Sequence, residues 1–84
     1  LDGVITLAAA TVAKAINPEI SQFLISGHCS SEPGSRIAIT HLQLQPILDL
    51  ELRLGEGTGA LLSIPIIRSA SQALSRMARI ADLL

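Results

Sequence analysis

Aromatic side chains and an excess charge of either sign are what this 84-residue sequence has least of. Phe23 is its only aromatic residue, so there is no row of rings on which nucleotide bases could stack. Six Lys and Arg residues are scattered along the chain against seven Asp and Glu residues, which gives a net charge of −1. Because no basic surface for a phosphate backbone is evident, we expect no nucleic-acid partner.

Disulfides and long apolar runs are also missing. Cys29 is the only cysteine, so no disulfide can form within the chain, which fits a reducing compartment. The uncharged run over residues 57–67 falls well short of the ~20 residues that cross a bilayer. No basic stretch precedes an apolar run, as it would in a signal peptide. We therefore expect a soluble, cytoplasmic protein with no membrane partner.

Apolar residues, in contrast, make up 49% of the sequence. A domain of this size buries only about 60–65% of the surface that its unfolded chain exposes, so we expect an apolar patch that something else covers. The chain also opens at Leu1-Asp2-Gly3, without an initiator Met, directly before a helical pattern. Both features predict a segment of a larger domain or a subunit of a tight oligomer.

The order of the predicted elements indicates an α/β chain. Helical spacing of apolar residues predicts a helix over residues 7–16, and Ser-capped helical spacing predicts another over residues 31–42. The short apolar run 23–25 and the alternating run 47–54 predict two strands, with a short helix that has leucines on all sides as the alternative for residues 47–54. A long helical pattern covers residues 60–83. The prediction is therefore two short strands with three or more helices.

A glycine-rich segment, Gly55-Glu56-Gly57-Thr58-Gly59, lies between the second predicted strand and the last helix. Such a loop exposes backbone N–H groups beside a helix N-terminus, which favours an anion such as phosphate. Together with Ala60, its glycines also satisfy G-x-G-x-x-A, the pattern of a dinucleotide-binding βα unit. That pattern needs a second strand after the helix, and none is predicted.

Glu56 is the unusual residue of this loop, because a carboxylate would repel the phosphate that the loop should hold. Either Glu56 is exposed on an ordinary turn or it faces a group that gives up a proton, as a general base does. The residues alone leave both interpretations open. A metal site is not predicted, since His28, Cys29, Glu32 and His41 match no standard zinc spacing.

Three stretches, residues 1–3, 27–34 and 53–60, together resemble the closing third of the nicotinate-nucleotide:dimethylbenzimidazole phosphoribosyltransferase family, in the family's order. The string Arg-Leu-Gly-Glu-Gly-Thr-Gly-Ala at residues 53–60 is the most specific of them. The resemblance covers essentially the whole chain. It implies that residues 1–84 are a single partial domain, the C-terminal segment of a three-layer Rossmann-like α/β domain.

The family resemblance also implies roles for individual residues. Glu56 would be the catalytic base, and Leu54, Gly55 and Gly57 would bind substrate. Ser30 would contact the phosphate of the nucleotide. No cofactor or metal is implied.

The activity implied is transfer of the phosphoribosyl group of nicotinate mononucleotide to 5,6-dimethylbenzimidazole or a related base. The products would be α-ribazole 5′-phosphate and nicotinate, in assembly of the cobalamin lower ligand. The chain would act with the rest of the enzyme or a second copy, as a homodimer, and would be inactive alone. Two alternatives remain open: a non-catalytic apolar helical interaction module and a nucleotide-binding βα unit.

Overall fold

The computed structural model of the chain describes residues 1–83, and its first element is the helix α1, Val4–Ile16. α1 begins after Gly3, whose carbonyl oxygen accepts a hydrogen bond from the Thr6 hydroxyl (3.0 Å). It ends at Asn17, which is extended because the proline that follows disfavours helical backbone there. The helix predicted over residues 7–16 is confirmed, one turn longer at its start.

A 3₁₀ helix, Pro18–Phe23, follows α1, and it replaces the first predicted strand. It starts where the Asn17 side chain accepts a hydrogen bond from the Glu19 N–H (3.1 Å). The strand predicted over residues 23–25 is wrong, because Phe23 closes this 3₁₀ helix and is 75% exposed. Leu24 is extended but pairs with no neighbouring strand within the described residues.

α2, Pro33–Leu42, packs against α1 and closes the core. It ends at Gln43, which has left-handed backbone (φ 58°) and donates its N–H to the last turn of the helix. Lys14 ties the two helices together by donating from Nζ to the His41 carbonyl oxygen (2.8 Å). The buried apolar core consists of Leu7, Ala10, Cys29, Ile39 and Leu42.

Two extended segments, 24–31 and 46–54, run parallel beside this core without forming regular strands. His28 and Leu48 form a single parallel bridge, in which the Cys29 N–H donates to the Leu48 carbonyl oxygen (2.9 Å). The next bond runs from the Ser31 N–H to the Leu52 carbonyl oxygen (3.1 Å), so the second segment carries two extra residues between these contacts.

The predicted strand over residues 47–54 is therefore wrong, although the segment is extended. Glu51 explains the interruption, because its left-handed backbone (φ 58°) breaks the alternation that a strand requires. Within residues 1–83 the predicted helices of the α/β fold are thus present. The two predicted strands are not present in this part of the chain, and the extended segments form one isolated bridge.

α3, Thr58–Arg76, leaves the core as a long arm and is followed by the short helix α4, Ile80–Leu83. Pro65 lies inside α3 and cannot donate a hydrogen bond to the Leu61 carbonyl oxygen, but the helix continues past it. The single helix predicted over residues 60–83 is divided at Met77, which is extended.

Large apolar side chains remain uncovered along α1 and α3, as the composition predicted. The molecule measures 50 × 29 × 17 Å, and α3 buries only Gly59 and Ser63. Large apolar side chains at least 60% exposed on the helices, the 3₁₀ helix included, are Ile5, Val12, Ile16, Phe23, Ile37, Leu61, Leu74, Ile80 and Leu83. Among residues 1–83, no helix combines the length and apolar character of a membrane span.

Candidate active site

A left-handed bend of three residues leads into α3. The φ angle is 68° at Gly55, 57° at Glu56 and 78° at Gly57. Glycine adopts this conformation readily, whereas for a residue with a side chain it costs roughly 1–2 kcal/mol. The bend closes where the Thr58 N–H donates to the Gly55 carbonyl oxygen (3.0 Å). Glu56 therefore projects between two residues that have no side chains, two positions before α3 begins.

Asp2 holds the far side of this bend, although it is 55 residues away in sequence from Gly57. Its Oδ2 accepts a hydrogen bond from the Gly57 N–H and its Oδ1 accepts one from the Ala60 N–H, both at 3.1 Å. These N–H groups lie at the start of α3, where a helix has no carbonyl partners of its own. Asp2 thus caps α3, whose N-cap residue Gly57 supplies no side-chain hydrogen bond.

The environment of Asp2 favours its ionised form. Partial burial raises the pKa of the carboxyl group, but the Ala60 N–H, the Gly57 N–H, the charge of His28 and the Gly59 N–H together lower it below the ordinary value of 3.8. The positive end of α3 lies beside the same carboxylate. The negatively charged Asp2 carboxylate therefore lies next to the bend.

His28 is the third partner of Asp2 and is only 3% exposed. Its Nε2 lies 3.2 Å from Asp2 Oδ1. The ring packs closely against the start of α3, since a Cβ added at Gly59 would overlap ring atoms of His28. Nδ1 of the same ring is buried and has no hydrogen-bond partner among the described residues. A glycine is therefore required at position 59, because the His28 ring approaches the backbone there. The His28 ring in turn lies against the Asp2 carboxylate.

The bend and the Ser30 loop open onto one cleft of about 280 Å³. Four of the five residues predicted for the site line it: Ser30, Leu54, Gly55 and Glu56. Gly57 does not line it, and its N–H is bonded to Asp2 instead. Glu56 is exposed in this chain but lies at the cleft. The rest of the lining comes from Asp2, Gly3, Val4, Ile5, Thr6, His28, Glu32 and Arg53.

An ion pair ties the two sides of this cleft together. Arg53 donates to Glu32 from Nε (2.7 Å) and from Nη2 (3.1 Å), one bond to each carboxylate oxygen. Glu32 belongs to the loop that carries Ser30, and its own N–H donates to the Ser30 hydroxyl oxygen (3.2 Å). Arg53 directly precedes Leu54. Since the pair is largely exposed, its main effect is geometric, with about 0–1 kcal/mol of stabilisation.

Sequence reasoning assigned no role to Asp2, His28, Glu32 or Arg53. No local pattern links Asp2 with α3, because the contact joins residues that are 55 and 58 positions apart in sequence and depends on tertiary packing. The only signal was the family resemblance, since all four residues lie in the stretches that carry it.

The geometry does not support a dinucleotide-binding βα unit. Two of the backbone N–H groups that would bind a phosphate, those of Gly57 and Ala60, are bonded to Asp2. The pattern also requires a strand after the helix. The described residues after α3 form only the short helix α4.

Comparison with known proteins defines the class to which the chain belongs. A family model described as phosphoribosyltransferase matches residues 1–83, so the chain is a member of that phosphoribosyltransferase family. Its curated relatives carry a more specific name. It is 53% identical over 82 residues to nicotinate-nucleotide–dimethylbenzimidazole phosphoribosyltransferase of Mycobacterium avium, covering 98% of this chain and 24% of the relative.

A second relative and a solved structure agree. The chain is 47% identical over 81 residues to the enzyme of the same name from Escherichia coli, covering 96% of this chain and 23% of that protein. It superposes on the crystal structure of CobT from Thermus thermophilus with a TM-score of 0.91 and 43% identity, covering 99% of this chain and 25% of that one. The family predicted from the sequence is confirmed, and the chain spans about a quarter of the length of these relatives.

Proposed function

We propose that the chain supplies the catalytic base of an enzyme that transfers the phosphoribosyl group of nicotinate mononucleotide to 5,6-dimethylbenzimidazole or a related base. The products are α-ribazole 5′-phosphate, used in the cobalamin lower ligand, and nicotinate. One observation carries the proposal: Glu56 and Ser30 open onto the same cleft in a chain about half identical to enzymes of that name.

The proposed reaction is a displacement at the anomeric carbon of the ribose. A ring nitrogen of the base forms a bond to that carbon, and the bond to nicotinate breaks, so that nicotinate leaves with the electron pair. The attacking ring is then cationic, because its second nitrogen still carries a hydrogen. A carboxylate beside that N–H stabilises the developing charge and accepts the proton, which leaves a neutral product ring.

Glu56 is suited to this role by its position on the bend. Glycines on both sides leave its carboxylate unobstructed, and Leu54 and Ile5 offer exposed apolar surface on the same cleft for a flat heterocycle. Gly55 allows the base to approach the main chain closely. Gly57 contributes through the bend, since its N–H is already bonded to Asp2.

Ser30 is suited to the phosphate of the nucleotide. Its oxygen accepts a hydrogen bond from the Glu32 N–H, and none of the hydrogen bonds within residues 1–83 uses its hydroxyl as a donor. That proton is therefore available to a phosphate oxygen. The loop leads directly into α2, whose positive end favours an anion nearby. The phosphate and the acidic bend would then lie on different parts of the cleft.

The exposed apolar surface supports a larger assembly. We propose that α1 and α3 pack against the remainder of a longer polypeptide in a three-layer, Rossmann-like α/β domain, and that the complete protein is a homodimer. The parallel bridge at His28 and Leu48 would then be an edge of the larger sheet. This arrangement accounts for the exposed apolar residues without a separate interaction module.

Glu56→Gln in the complete polypeptide tests the proposal. Glutamine keeps the size of the side chain but accepts no proton, so kcat with nicotinate mononucleotide and dimethylbenzimidazole should fall roughly 10²- to 10⁴-fold. KM for the nucleotide should change little.

The matched control is Glu51→Gln. Glu51 has the same left-handed backbone (φ 58°) and undergoes the same loss of charge, but it does not line the cleft. The control should retain full activity. Wild-type turnover by Glu56→Gln would overturn the assignment of Glu56 as the base.

A further inference from the structure

The conformation of the Glu56 bend needs an explanation beyond its own sequence. Glu56 has a left-handed backbone, an arrangement that residues with side chains maintain only where their surroundings hold it. Glycines at 55 and 57 permit the bend but do not fix it. On the side of α3, the Gly57 N–H is bonded to Asp2. The bend is closed by its own bond from the Thr58 N–H to the Gly55 carbonyl oxygen, and the bond to Asp2, 55 residues from Gly57 in sequence, anchors it to the rest of the fold.

We propose that Asp2 is a positioning residue, whose carboxylate fixes the bend so that Glu56 faces the incoming base. This inference rests on the proposed role of Glu56. Asp2 acts through Gly57 and Ala60, which lie on either side of the first turn of α3. One carboxylate oxygen bonds to each, so the plane of the carboxylate sets the angle at which the bend joins the helix.

Asp2 is itself held firmly, as a positioning group must be. Its own N–H donates to the Thr6 hydroxyl oxygen (2.9 Å), and that hydroxyl donates to the Gly3 carbonyl oxygen (3.0 Å), which fixes Asp2 to the start of α1. On the other side His28 Nε2 lies 3.2 Å from Oδ1. The contacts run from α1 through Asp2 to α3, so the bend is tied to the core of the fold.

The same contacts argue against Asp2 as a proton acceptor or a substrate ligand. Two backbone N–H groups, those of Gly57 and Ala60, already donate to its two oxygens, and His28 Nε2 lies 3.2 Å from Oδ1. These contacts also hold the pKa of its carboxyl group below the ordinary value. The Glu56 carboxylate, in contrast, lies at the cleft and accepts no hydrogen bond from residues 1–83. The two acidic residues therefore have different tasks, one structural at the bend and one chemical.

A double-mutant cycle in the complete polypeptide tests this division. Asp2→Asn keeps the shape of the side chain but presents an NH₂ group to one of the two backbone N–H groups, so the bend should relax. A displacement of about 1 Å can cost on the order of 10²-fold in rate, and we expect kcat to fall roughly 10- to 100-fold with KM for nicotinate mononucleotide unchanged within about twofold.

The combination with Glu56→Gln separates positioning from general damage. If Asp2 acts only by placing the Glu56 carboxylate, adding Asp2→Asn to Glu56→Gln should lower kcat no further than about threefold. The matched control is Asp49→Asn, another Asp-to-Asn change, at an exposed residue paired with Arg36 outside the cleft, and it should leave activity unchanged.

Each outcome has a defined meaning. Multiplicative losses in the double variant, or a raised KM for the nucleotide, would overturn the positioning role while leaving Glu56 as the base. Full activity of Asp2→Asn beside an impaired Glu56→Gln would do the same. Full activity of Glu56→Gln would instead overturn the proposed function. Should Asp2→Asn not fold, His28→Gln is the second variant: it should give a smaller loss of kcat that again disappears on the Glu56→Gln background.

Discussion

Asp2 caps the N-terminus of α3 although it is distant in sequence, whereas a capping side chain normally belongs to the N-cap residue itself. It bonds two N–H groups at the start of α3, where Gly57 has no side chain to offer. A local cap of this kind contributes roughly 1 kcal/mol. The same contacts keep the carboxyl group ionised, so the stability that Asp2 provides must depend on pH.

The direction of that pH dependence follows from the lowered pKa of Asp2. A carboxyl group whose pKa in the folded state lies below its value of 3.8 in the unfolded state stabilises the fold above that value. The contribution is lost as pH falls through the folded-state pKa. Urea unfolding of the complete polypeptide should therefore show that Asp2→Asn costs roughly 1 kcal/mol near pH 6. The difference from wild type should shrink well below pH 3.8. A difference that grows on acidification would contradict this account of Asp2.

At the level of elements, the 27–30 segment and the start of α3 pack so closely that an added Cβ would clash at two glycines. Gly59 meets the His28 ring, and a Cβ at Gly27 would lie 2.8 Å from Ala60 Cα. Both contacts involve residues that hold the Glu56 bend. The close packing of α3 on the extended segment thus depends on the absence of a side chain at Gly27 and at Gly59.

Gly59→Ala should separate these elements. The added methyl group overlaps the buried His28 ring, and overpacking of this kind costs about 1–3 kcal/mol or more. The midpoint of thermal unfolding should fall, and activity should fall with it as the bend shifts. Gly34→Ala is the control, because it makes the same change in the first turn of α2, where the new Cβ meets only the Val4 side chain. Equal stability of the two variants would show that the contact at Gly59 is not tight.

Some elements of the fold could be predicted from the sequence and others could not. Periodicity predicted α1 except for its first turn, because helical spacing is a local signal. The alternating run 47–54 has the period of a strand, but Glu51 adopts a left-handed conformation that no residue type at that position announces. The bend at Glu56 was identified from its glycines. The role of Asp2 was not, since it depends on contacts with residues that lie 55 and 58 positions away in sequence.

At the scale of the whole molecule, the core is small and the uncovered apolar surface is large. Leu7 and Leu42 are fully buried, whereas Leu74 on the α3 arm is 91% exposed. After Ser63, α3 buries none of its residues, so this part of the arm has no packing partner within residues 1–83. An apolar surface of this kind in water favours association.

The isolated 84-residue chain should therefore self-associate at roughly 10–100 µM and bind nicotinate mononucleotide weakly or not at all. Sedimentation velocity measures the first property and calorimetric titration the second. Leu74→Lys should weaken association, while Ser71→Lys, which adds the same charge at an exposed position of α3, should have less effect. A chain that stays monomeric across this concentration range would contradict the prediction that the exposed α3 arm drives association. Tight nucleotide binding would show that the isolated chain contains the whole binding site for nicotinate mononucleotide.

The central claim is that Glu56 accepts the proton of the incoming base at this cleft, and a crystal structure of the complete protein with dimethylbenzimidazole bound tests it most directly. The account predicts a Glu56 carboxylate oxygen within roughly 2.6–3.2 Å of a ring nitrogen of the base. Asp2 should retain its bonds to Gly57 and Ala60 in the same structure. A base bound elsewhere, with the Glu56 side chain in solvent, would contradict the claim.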